Sequence, residues 1–351
     1  MNYSPNDIKS QDQQSHNGLL LSIIVPVYNV EKYIHTCMES IYSQDLDEST
    51  FEVIIVNDGS TDHSMEVIQD IIQTHSNISI INQENQSLSV ARNNGIAVAK
   101  GEYILMPDSD DLLIKGSLPV LLEKALSSKA DLVVADFLAM TDEEIKNLTT
   151  VPQKKGLIKV KTGEQLFLED LNPDQCYVWR TLYRREFLIS NQLTFVPGIR
   201  YQDVPFTHEC YLKAKKCLRA PRLLNIYRKG HESATSSFNK KKAHDLCIAI
   251  ASTWKLRDIK GLKPQVSKKL NNDIYRSFSL LIYFMLYGIQ DAKERDEIFA
   301  FLRHEVPDLH FSDGTRQTIT WNLFRLSPNL YFSIRKILRK YTPRPNNLIK
   351  K

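Results

Sequence analysis

From residue 20 onward, short apolar runs alternate with segments in which apolar residues recur at helical spacing. The runs predicted as strands are 21–27, 51–56, 78–81, 103–106 and 131–136. The segments predicted as helices are 34–42, 65–72, 88–99 and 118–127. The connections between strands are too long for hairpins, so parallel pairing is predicted. The pattern indicates an α/β domain with a mainly parallel sheet flanked by helices.

The second half of the chain has a different pattern. Residues 150–235 are mixed, and after Ser237 the pattern becomes mainly helical. We therefore predict a poorly ordered N-terminus at 1–19, a sheet domain at 20–235 and a helical C-terminal region at 236–351. Within the sheet domain, 20–111 and 112–235 are predicted to form two halves.

The C-terminal segment is amphipathic and basic. Between about 329 and 341, one predicted helical face is apolar and the opposite one carries Arg335, Lys336, Arg339 and Lys340. Nine basic and no acidic residues follow Asp313, which leaves the rest of the chain at −5 within a formal net charge of +4. A helix of this kind either lies on an anionic membrane surface, here 329–351, or packs its apolar face on the body. No nucleic-acid-binding module is recognised, so no nucleic acid partner is expected.

Composition restricts the class of protein further. The chain is 42% hydrophobic and 25% charged, as in globular proteins. Its five cysteines include no C-x-x-C pair, which favours a reducing compartment over a disulfide framework. The apolar stretches 19–27 and 278–289 are shorter than a membrane span of about 20 residues. We therefore expect a cytoplasmic protein, peripheral on the inner face of the cell membrane if the tail binds lipid.

Polar residues follow three of the predicted strands. They are Tyr28-Asn29 with Glu31, then Asn57-Asp-Gly-Ser60, then Asp108-Ser-Asp-Asp111. Ligands bind at the carboxyl ends of strands in such sheets, so these residues are predicted to meet at one pocket. Clustered aspartates repel one another unless a cation lies among them, and carboxylates suit Mg²⁺ or Mn²⁺. The alternatives are a solvated turn that caps a helix at 108–111, and an ordinary turn at 57–60.

Several linked motifs resemble the family-2 inverting glycosyltransferases of GT-A fold, a Rossmann-like architecture. They are Ser22-Ile-Ile-Val-Pro-Val-Tyr-Asn29, Val56-Asn-Asp-Gly-Ser-Thr-Asp62, Ala91-Arg-Asn-Asn-Gly95, Gly101-Glu-Tyr-Ile104 and Asp108-Ser-Asp-Asp111. Order and spacing both match across about 20–111, and the resemblance continues more weakly to about residue 235.

This resemblance implies roles for the residues of the first two strand ends. Pro26, Tyr28 and Glu31 would line a nucleotide pocket, and Asp58 would bind the base, typically uracil. Arg92 would lie near the donor site. Independently of the family, a carboxylate such as Asp58 can accept a hydrogen bond from a nucleobase N–H, and a tyrosine can stack on the base.

The resemblance also implies a metal site and a catalytic base. Asp108 and Asp111 would contact the nucleotide-sugar, and Asp110 would ligate the Mn²⁺ or Mg²⁺ that bridges the diphosphate. Asp203 in Tyr201-Gln-Asp-Val-Pro-Phe206 matches the family's base, although Gln202 stands where many members have Glu. Asp203 is otherwise an ordinary helix start. His231, in a segment resembling the one that closes over the diphosphate, is the second candidate metal ligand.

The resemblance therefore implies a metal-dependent inverting glycosyltransferase. Its donor would be a nucleotide-sugar, UDP-linked by expectation, and its acceptor a hydroxyl of a glycan or lipid-linked glycan in surface polysaccharide synthesis. Two other functions remain open: a nucleotidyltransferase that makes sugar nucleotides, and a non-catalytic nucleotide-sugar-binding protein. A nucleotidyltransferase is disfavoured because Pro26-Val-Tyr-Asn29 stands where a Gly-rich phosphate loop would follow the first strand.

Overall fold

The structure is a computed structural model that describes residues 18–151, 153, 156–230, 239–311 and 314–339. Most of the predicted N-terminal segment 1–19, His231 and the tail beyond residue 339 lie outside the described residues. The predicted domain boundary near residue 235 also falls outside them.

The strands of the described residues form one nine-stranded sheet. Its order is β3-β2-β1-β4-β8-β6-β9-β5, with β7 paired to β9. The strands are β1 (Leu21–Val27), β2 (Phe51–Asn57), β3 (Ile78–Asn82), β4 (Tyr103–Leu105), β5 (Leu112–Leu113), β6 (Leu132–Thr141), β7 (Lys159–Lys161), β8 (Thr181–Arg184) and β9 (Cys217–Lys229).

Helices cover the faces of the sheet and make up the C-terminal region. Those of the sheet domain are α1 (Ile34–Tyr42), α2 (Gln69–Thr74), α3 (Leu88–Val98), α4 (Leu118–Ser128), α5 (Asp142–Lys146), α6 (Gly163–Glu169), α7 (Arg185–Ser190) and α8 (Asp203–Lys213). Those of the C-terminal region are α9 (Lys240–Lys255), α10 (Pro264–Tyr287), α11 (Ala292–Glu305), α12 (Thr315–Leu326) and α13 (Pro328–Arg339).

The predicted fold class is confirmed: a sheet flanked by helices, with a helical C-terminal region. β1 pairs in parallel with β2 and β4, and β2 pairs in parallel with β3. The second half is mixed, because β8 lies antiparallel between β4 and β6. The parallel prediction therefore holds for 20–111 and only partly for 112–235.

The predicted helix at 65–72 begins later than expected, at Gln69. The side chain of Asp62 explains the delay, because its Oδ1 accepts hydrogen bonds from both the backbone N–H and the hydroxyl of Ser64. These local bonds hold the first residues in turns before the regular helix starts.

Strand β1 lies at the centre of the parallel half, and all seven of its residues are buried. Its side chains alternate between two hydrophobic clusters, with Ile24 in one and Ile23 and Val25 in the other. α3 packs closely on the Ile24 side at Gly95, where an added Cβ would lie 2.3 Å from Ile24 Cγ2. The glycine of the Ala91–Gly95 motif is thus required for packing.

The C-terminal helices are joined to the sheet domain by a continuous core. One hydrophobic cluster extends from Ile24 in β1 through Phe206 in α8 to Phe278 in α10 and Phe324 in α12. The C-terminal region therefore supports α8 by packing against it in the same core.

The first turn of α13 packs on the body. Tyr331 and Phe332 are 6% and 2% exposed, and both rings contact Phe324 edge-on. Leu330, which the sequence pattern placed on the apolar face, is 48% exposed. The helix thus buries Tyr331 and Phe332 and not Leu330, because the two aromatic side chains bury more apolar surface than one leucine.

Among the described helices, none combines the length with the apolar composition that crossing a bilayer requires.

Polar side chains in the core connect α8 to α10. His208 is fully buried; its Nε2 lies 3.2 Å from Asp273 Oδ2, and its Nδ1 lies 2.7 Å from the Val204 carbonyl oxygen. Lys269 Nζ donates to the same Asp273 oxygen at 2.9 Å. The Asp273 carboxylate thus connects His208 of α8 with Lys269 of α10 inside the core.

We predict that Asp273→Asn lowers the free energy of unfolding by about 3 kcal/mol, because it leaves the buried His208 ring and the Lys269 ammonium without their carboxylate. Asp174→Asn is the matched control, since Asp174 also binds a residue of α10, Arg276, with 41% of its side chain exposed. The control should cost less than about 1 kcal/mol. Urea denaturation measures the free energy of unfolding of both variants. Equal losses would show that the buried bonds of Asp273 stabilise the fold no more than the exposed ion pair of Asp174.

Candidate active site

The loops that follow β1 and β2 are joined by hydrogen bonds. Asn29 Oδ1 accepts from the Thr61 backbone N–H at 2.8 Å. Two further bonds cross between the loops in opposite directions. The Glu31 N–H donates to Asp62, and Glu31 Oε2 accepts from the His63 N–H, each at 3.0 Å. These bonds fix the two loops as one wall at the carboxyl edge of the sheet.

Asp58 organises a third segment at this edge. It is 3% exposed, and its Oδ1 accepts from Gln83 Nε2 at 2.7 Å and from the Gln86 N–H at 2.8 Å. Its Oδ2 accepts from the Ser87 N–H at 3.0 Å. A carboxylate has about four lone-pair sites, so Oδ2 retains capacity for a further donor. The sequence indicated Asp58 but gave no sign of Gln83 or of the 83–87 segment.

Pro26 and Tyr28 lie where β1 runs past its neighbour. The β1–β4 pairing ends at Ile23 and Leu105, so Pro26 is beyond it, where a missing N–H is tolerated. The ring of Tyr28 is 48% exposed just after the strand. An exposed aromatic beside Asp58 is compatible with the predicted base-stacking role.

Arg92 and Asp108 form an ion pair between α3 and the end of β4. Arg92 is 2% exposed, and its Nη2 donates to Asp108 Oδ1. Its guanidinium carbon also lies 5.4 Å from the ring centroid of Phe195. Arg92 thus holds Asp108 in place at the head of the acidic cluster.

Asp108, Asp110 and Asp111 come together after β4. One carboxylate oxygen from each lies within 4.8 Å of the others. Burial raises the pKa of Asp111, and the negative charges of Asp108 and Asp110 raise it further. Burial also raises the pKa of Asp108, opposed by Arg92 and assisted by Asp110 and Asp203.

Arg228 at the end of β9 closes the cluster from the other side. Its backbone N–H donates to Asp111 Oδ1, and its Nε to the Asp110 carbonyl oxygen, each at 2.8 Å. Its Nη1 donates to Asp142 at 2.5 Å. Arg228 thus fixes the position of Asp110 and Asp111 through its backbone N–H and its guanidinium. Asp142 is a residue that the sequence did not single out.

The donor set fits a hard divalent cation. Three carboxylates converge, and Asp111 Oδ2 is buried without a hydrogen-bond partner among the described residues. Such an arrangement is unfavourable without a positive charge, and oxygen ligands are those that Mg²⁺ and Mn²⁺ prefer. His231, the other predicted ligand, lies outside the described residues.

Asp203 is the first residue of α8. Its charge acts on Asp108, which places the two carboxylates in one electrostatic environment. The preceding Gln202 is 3% exposed, and its Oε1 has no hydrogen-bond partner in the described part of the chain. A buried orphan amide oxygen beside Asp203 is the kind of group that a ligand hydroxyl satisfies.

The chain resembles several known proteins over this region. A family model described as Glycosyl transferase family 2 matches residues 22–189. An uncharacterized glycosyltransferase of Haemophilus influenzae is 30% identical over 203 residues, which are 58% of this chain and 76% of that protein. The uncharacterized glycosyltransferase EpsJ of Bacillus subtilis is 37% identical over 221 residues, 62% of this chain. The match spans 63% of EpsJ, slightly under two thirds of its length.

A solved structure extends the likeness of fold to nearly the whole chain. Staphylococcus aureus TarS 1–349, crystallised in complex with UDP-GlcNAc, superimposes with a TM-score of 0.71 at 20% identity. The superposition covers 93% of each chain. The predicted GT-A architecture is thereby confirmed.

We predict that Mn²⁺ binds more weakly at about pH 5.5 than at about pH 8. The raised pKa values of Asp108 and Asp111 keep protons on these groups well above the usual 3.8, and a cation must displace them. Affinity therefore falls as pH falls through this range. Electron paramagnetic resonance of free Mn²⁺ gives the affinity without a nucleotide.

Asp110→Asn should raise the dissociation constant for Mn²⁺ by about tenfold or more, because one charged ligand is lost. Asp45→Asn, whose parent side chain is 70% exposed, is the control and should leave it unchanged. Binding that is insensitive to pH and to Asp110→Asn would contradict a metal site at this cluster.

Proposed function

Because the chain belongs to glycosyltransferase family 2, we propose that it moves a sugar from a UDP-sugar to an acceptor hydroxyl with inversion. The acceptor is a glycan or lipid-linked glycan in surface polysaccharide synthesis. The observation that carries the proposal is the acidic cluster of Asp108, Asp110 and Asp111, which opens at the same sheet edge as Asp58.

The nucleotide would bind along the joined loops after β1 and β2. Pro26, Tyr28 and Glu31 would line the nucleotide pocket, and Asp58 Oδ2 has capacity to accept from the N–H of a uracil. A uridine nucleotide is favoured because the structurally similar TarS binds UDP-GlcNAc and UDP.

Asp110 would hold Mn²⁺ or Mg²⁺, with Asp108 and Asp111 beside it contacting the nucleotide-sugar. When bound, the ion stabilises the negative charge that develops on the departing diphosphate. Arg92 fixes the orientation of Asp108, and Arg228 fixes the 110–111 backbone, so that the carboxylates are positioned before the ligand arrives.

Asp203 would act as general base. The acceptor oxygen attacks the anomeric carbon and forms the new glycosidic bond while its proton passes to the Asp203 carboxylate. The bond from the anomeric carbon to the phosphate oxygen breaks, and UDP leaves with the electron pair. A single displacement inverts the anomeric configuration, so an α-linked donor gives a β-linked product.

We predict that Asp203→Asn lowers kcat by about 10²–10⁴-fold, because a positioned base is lost while the shape of the site is kept. UDP release from UDP-glucose, UDP-galactose and UDP-GlcNAc, each offered with a panel of glycosides, measures turnover. Glu209→Gln, on the same helix and paired with Lys213, is the control and should keep full activity.

Unchanged turnover in the Asp203→Asn protein would remove this residue from the mechanism. A wild-type protein that binds UDP and releases none from any pair of donor and acceptor would indicate a binding protein instead.

A contact with the cytoplasmic face of the membrane is a further part of the proposal. The first turn of α13 packs on the body, while Arg335 further along is exposed. Any lipid contact would thus come from the basic positions after the packed turn. All five cysteines are unpaired and buried, as suits a reducing compartment.

We predict that the protein floats with liposomes that contain phosphatidylglycerol and not with neutral ones. A four-site variant with glutamine at the basic positions should lose this binding, since each basic residue near an anionic surface contributes about 1 kcal/mol. The substituted residues are Arg335, Lys336, Arg339 and Lys340.

A control variant with the same change of net charge carries glutamine at four lysines elsewhere and should still float. These control positions are Lys115, Lys124, Lys241 and Lys263. No flotation of the wild type, or equal flotation of both variants, would contradict a membrane contact through this segment.

A further inference from the structure

Four aromatic side chains lie beside the acidic cluster and have no part in the mechanism above. We name them the aromatic platform: Phe137 of β6, Tyr177 and Trp179 before β8, and Tyr227 of β9. Tyr177 and Trp179 stack with ring centroids 4.8 Å apart and planes 15° apart. Trp179 and Tyr227 are also near-parallel, at 11° and 5.9 Å. Phe137 meets Trp179 edge-on at 5.0 Å, which fixes the orientation of the stack.

The platform is only partly covered. Trp179 is 2% exposed and forms its base, while Tyr177, Tyr227 and Phe137 each keep accessible surface. Aromatic rings that serve packing alone are usually enclosed, and partly open rings with polar tips are typical of ligand sites. The exposed edges therefore indicate a surface that receives a ligand.

Two direct connections link the platform to the acidic cluster and to α8. Tyr227 precedes Arg228, whose backbone N–H donates to Asp111 at 2.8 Å. Tyr177 follows Cys176, whose carbonyl oxygen accepts from the Thr207 hydroxyl at 3.1 Å. Thr207 lies on α8, one turn after Asp203. The platform thus connects the acidic cluster with the helix of the proposed base.

We propose that the aromatic platform binds the pyranose ring of the acceptor and presents its hydroxyl to Asp203, an inference that rests on the proposed function. The apolar C–H face of a sugar ring fits the negative face of an aromatic ring, and tyrosine hydroxyls suit the hydroxyl groups at its rim.

Charge favours a neutral sugar ring as the occupant. Asp108, Asp110 and Asp111 lie close to Tyr227 and repel an anionic group placed on the rings. A phosphorylated portion of an acceptor would thus be expected to lie away from the platform, and its terminal sugar on it. Tyr177 and Tyr227 then determine which acceptor is accepted, without contacting the donor.

The test uses full-length protein labelled with 5-fluorotryptophan, in the presence of UDP and Mn²⁺. The chain has three tryptophans, so Trp179→Phe assigns the resonance of interest, and Trp254 and Trp321 serve as internal references. The probes are the methyl β-glycosides of glucose, galactose and N-acetylglucosamine. We expect one or more of them to shift the Trp179 resonance saturably and to leave the other two in place.

Tyr177→Leu and Tyr227→Leu should each weaken glycoside binding by about tenfold and leave UDP binding unchanged. Leucine keeps apolar volume, so folding is preserved while the aromatic face is lost. Tyr283→Leu is the control: Tyr283 pairs with Tyr287 at 4.5 Å on α10, and its loss should leave glycoside binding intact.

Binding of UDP with no glycoside response at Trp179 would overturn the platform and leave the proposed function standing. A response to farnesyl phosphate and to none of the glycosides would overturn the sugar as occupant in favour of a lipid. No binding of UDP in the same sample would overturn the proposed function, and the platform with it.

Discussion

The site depends on one electrostatic constraint: three carboxylates are held close together at the end of β4 between two buried arginines. Arg92 pairs with Asp108, and Arg228 binds the backbone oxygen of Asp110 and the carboxylate of Asp111. Even with both arginines the cluster remains short of positive charge, since Arg228 also neutralises Asp142. The fold thus maintains a concentration of negative charge that a divalent cation would relieve, and this supports the proposed diphosphate site.

The rest of the architecture holds the elements around this cluster in fixed relative positions. Parallel pairing of β1 with β2 and β4 makes their loops open at one edge, and side-chain bonds from Glu31 and Asp62 join two of those loops. The mixed half returns β9 to the same edge, where Arg228 contacts the cluster. The C-terminal helices support α8 through the buried pair of His208 and Asp273. A helical region far along the chain thereby positions the residue proposed as base.

The sequence predicted those parts of the molecule whose signals are local. Buried apolar runs identified β1 to β4, and polar residues directly after those strands identified Asp58 and the acidic cluster. Contacts between distant segments had no such signal: the bonds from Gln83 to Asp58 and from Arg228 to Asp142 span 25 and 86 positions. The aromatic platform is hidden for the same reason, because its rings come from three separate segments. Helical spacing placed Leu330 on the apolar face of α13 but did not tell which apolar side chains the neighbouring helix covers, and Leu330 is 48% exposed.

We propose that the acids at the strand ends bind one cation and one uridine diphosphate at a single edge of the sheet. The most direct measurement is an anomalous difference map at the manganese absorption edge, from crystals grown with UDP and Mn²⁺. We expect one strong peak within coordination distance of the Asp110 carboxylate, with the diphosphate next to it and the uracil against Asp58. A peak remote from Asp110, or a nucleotide bound in another crevice, would contradict it.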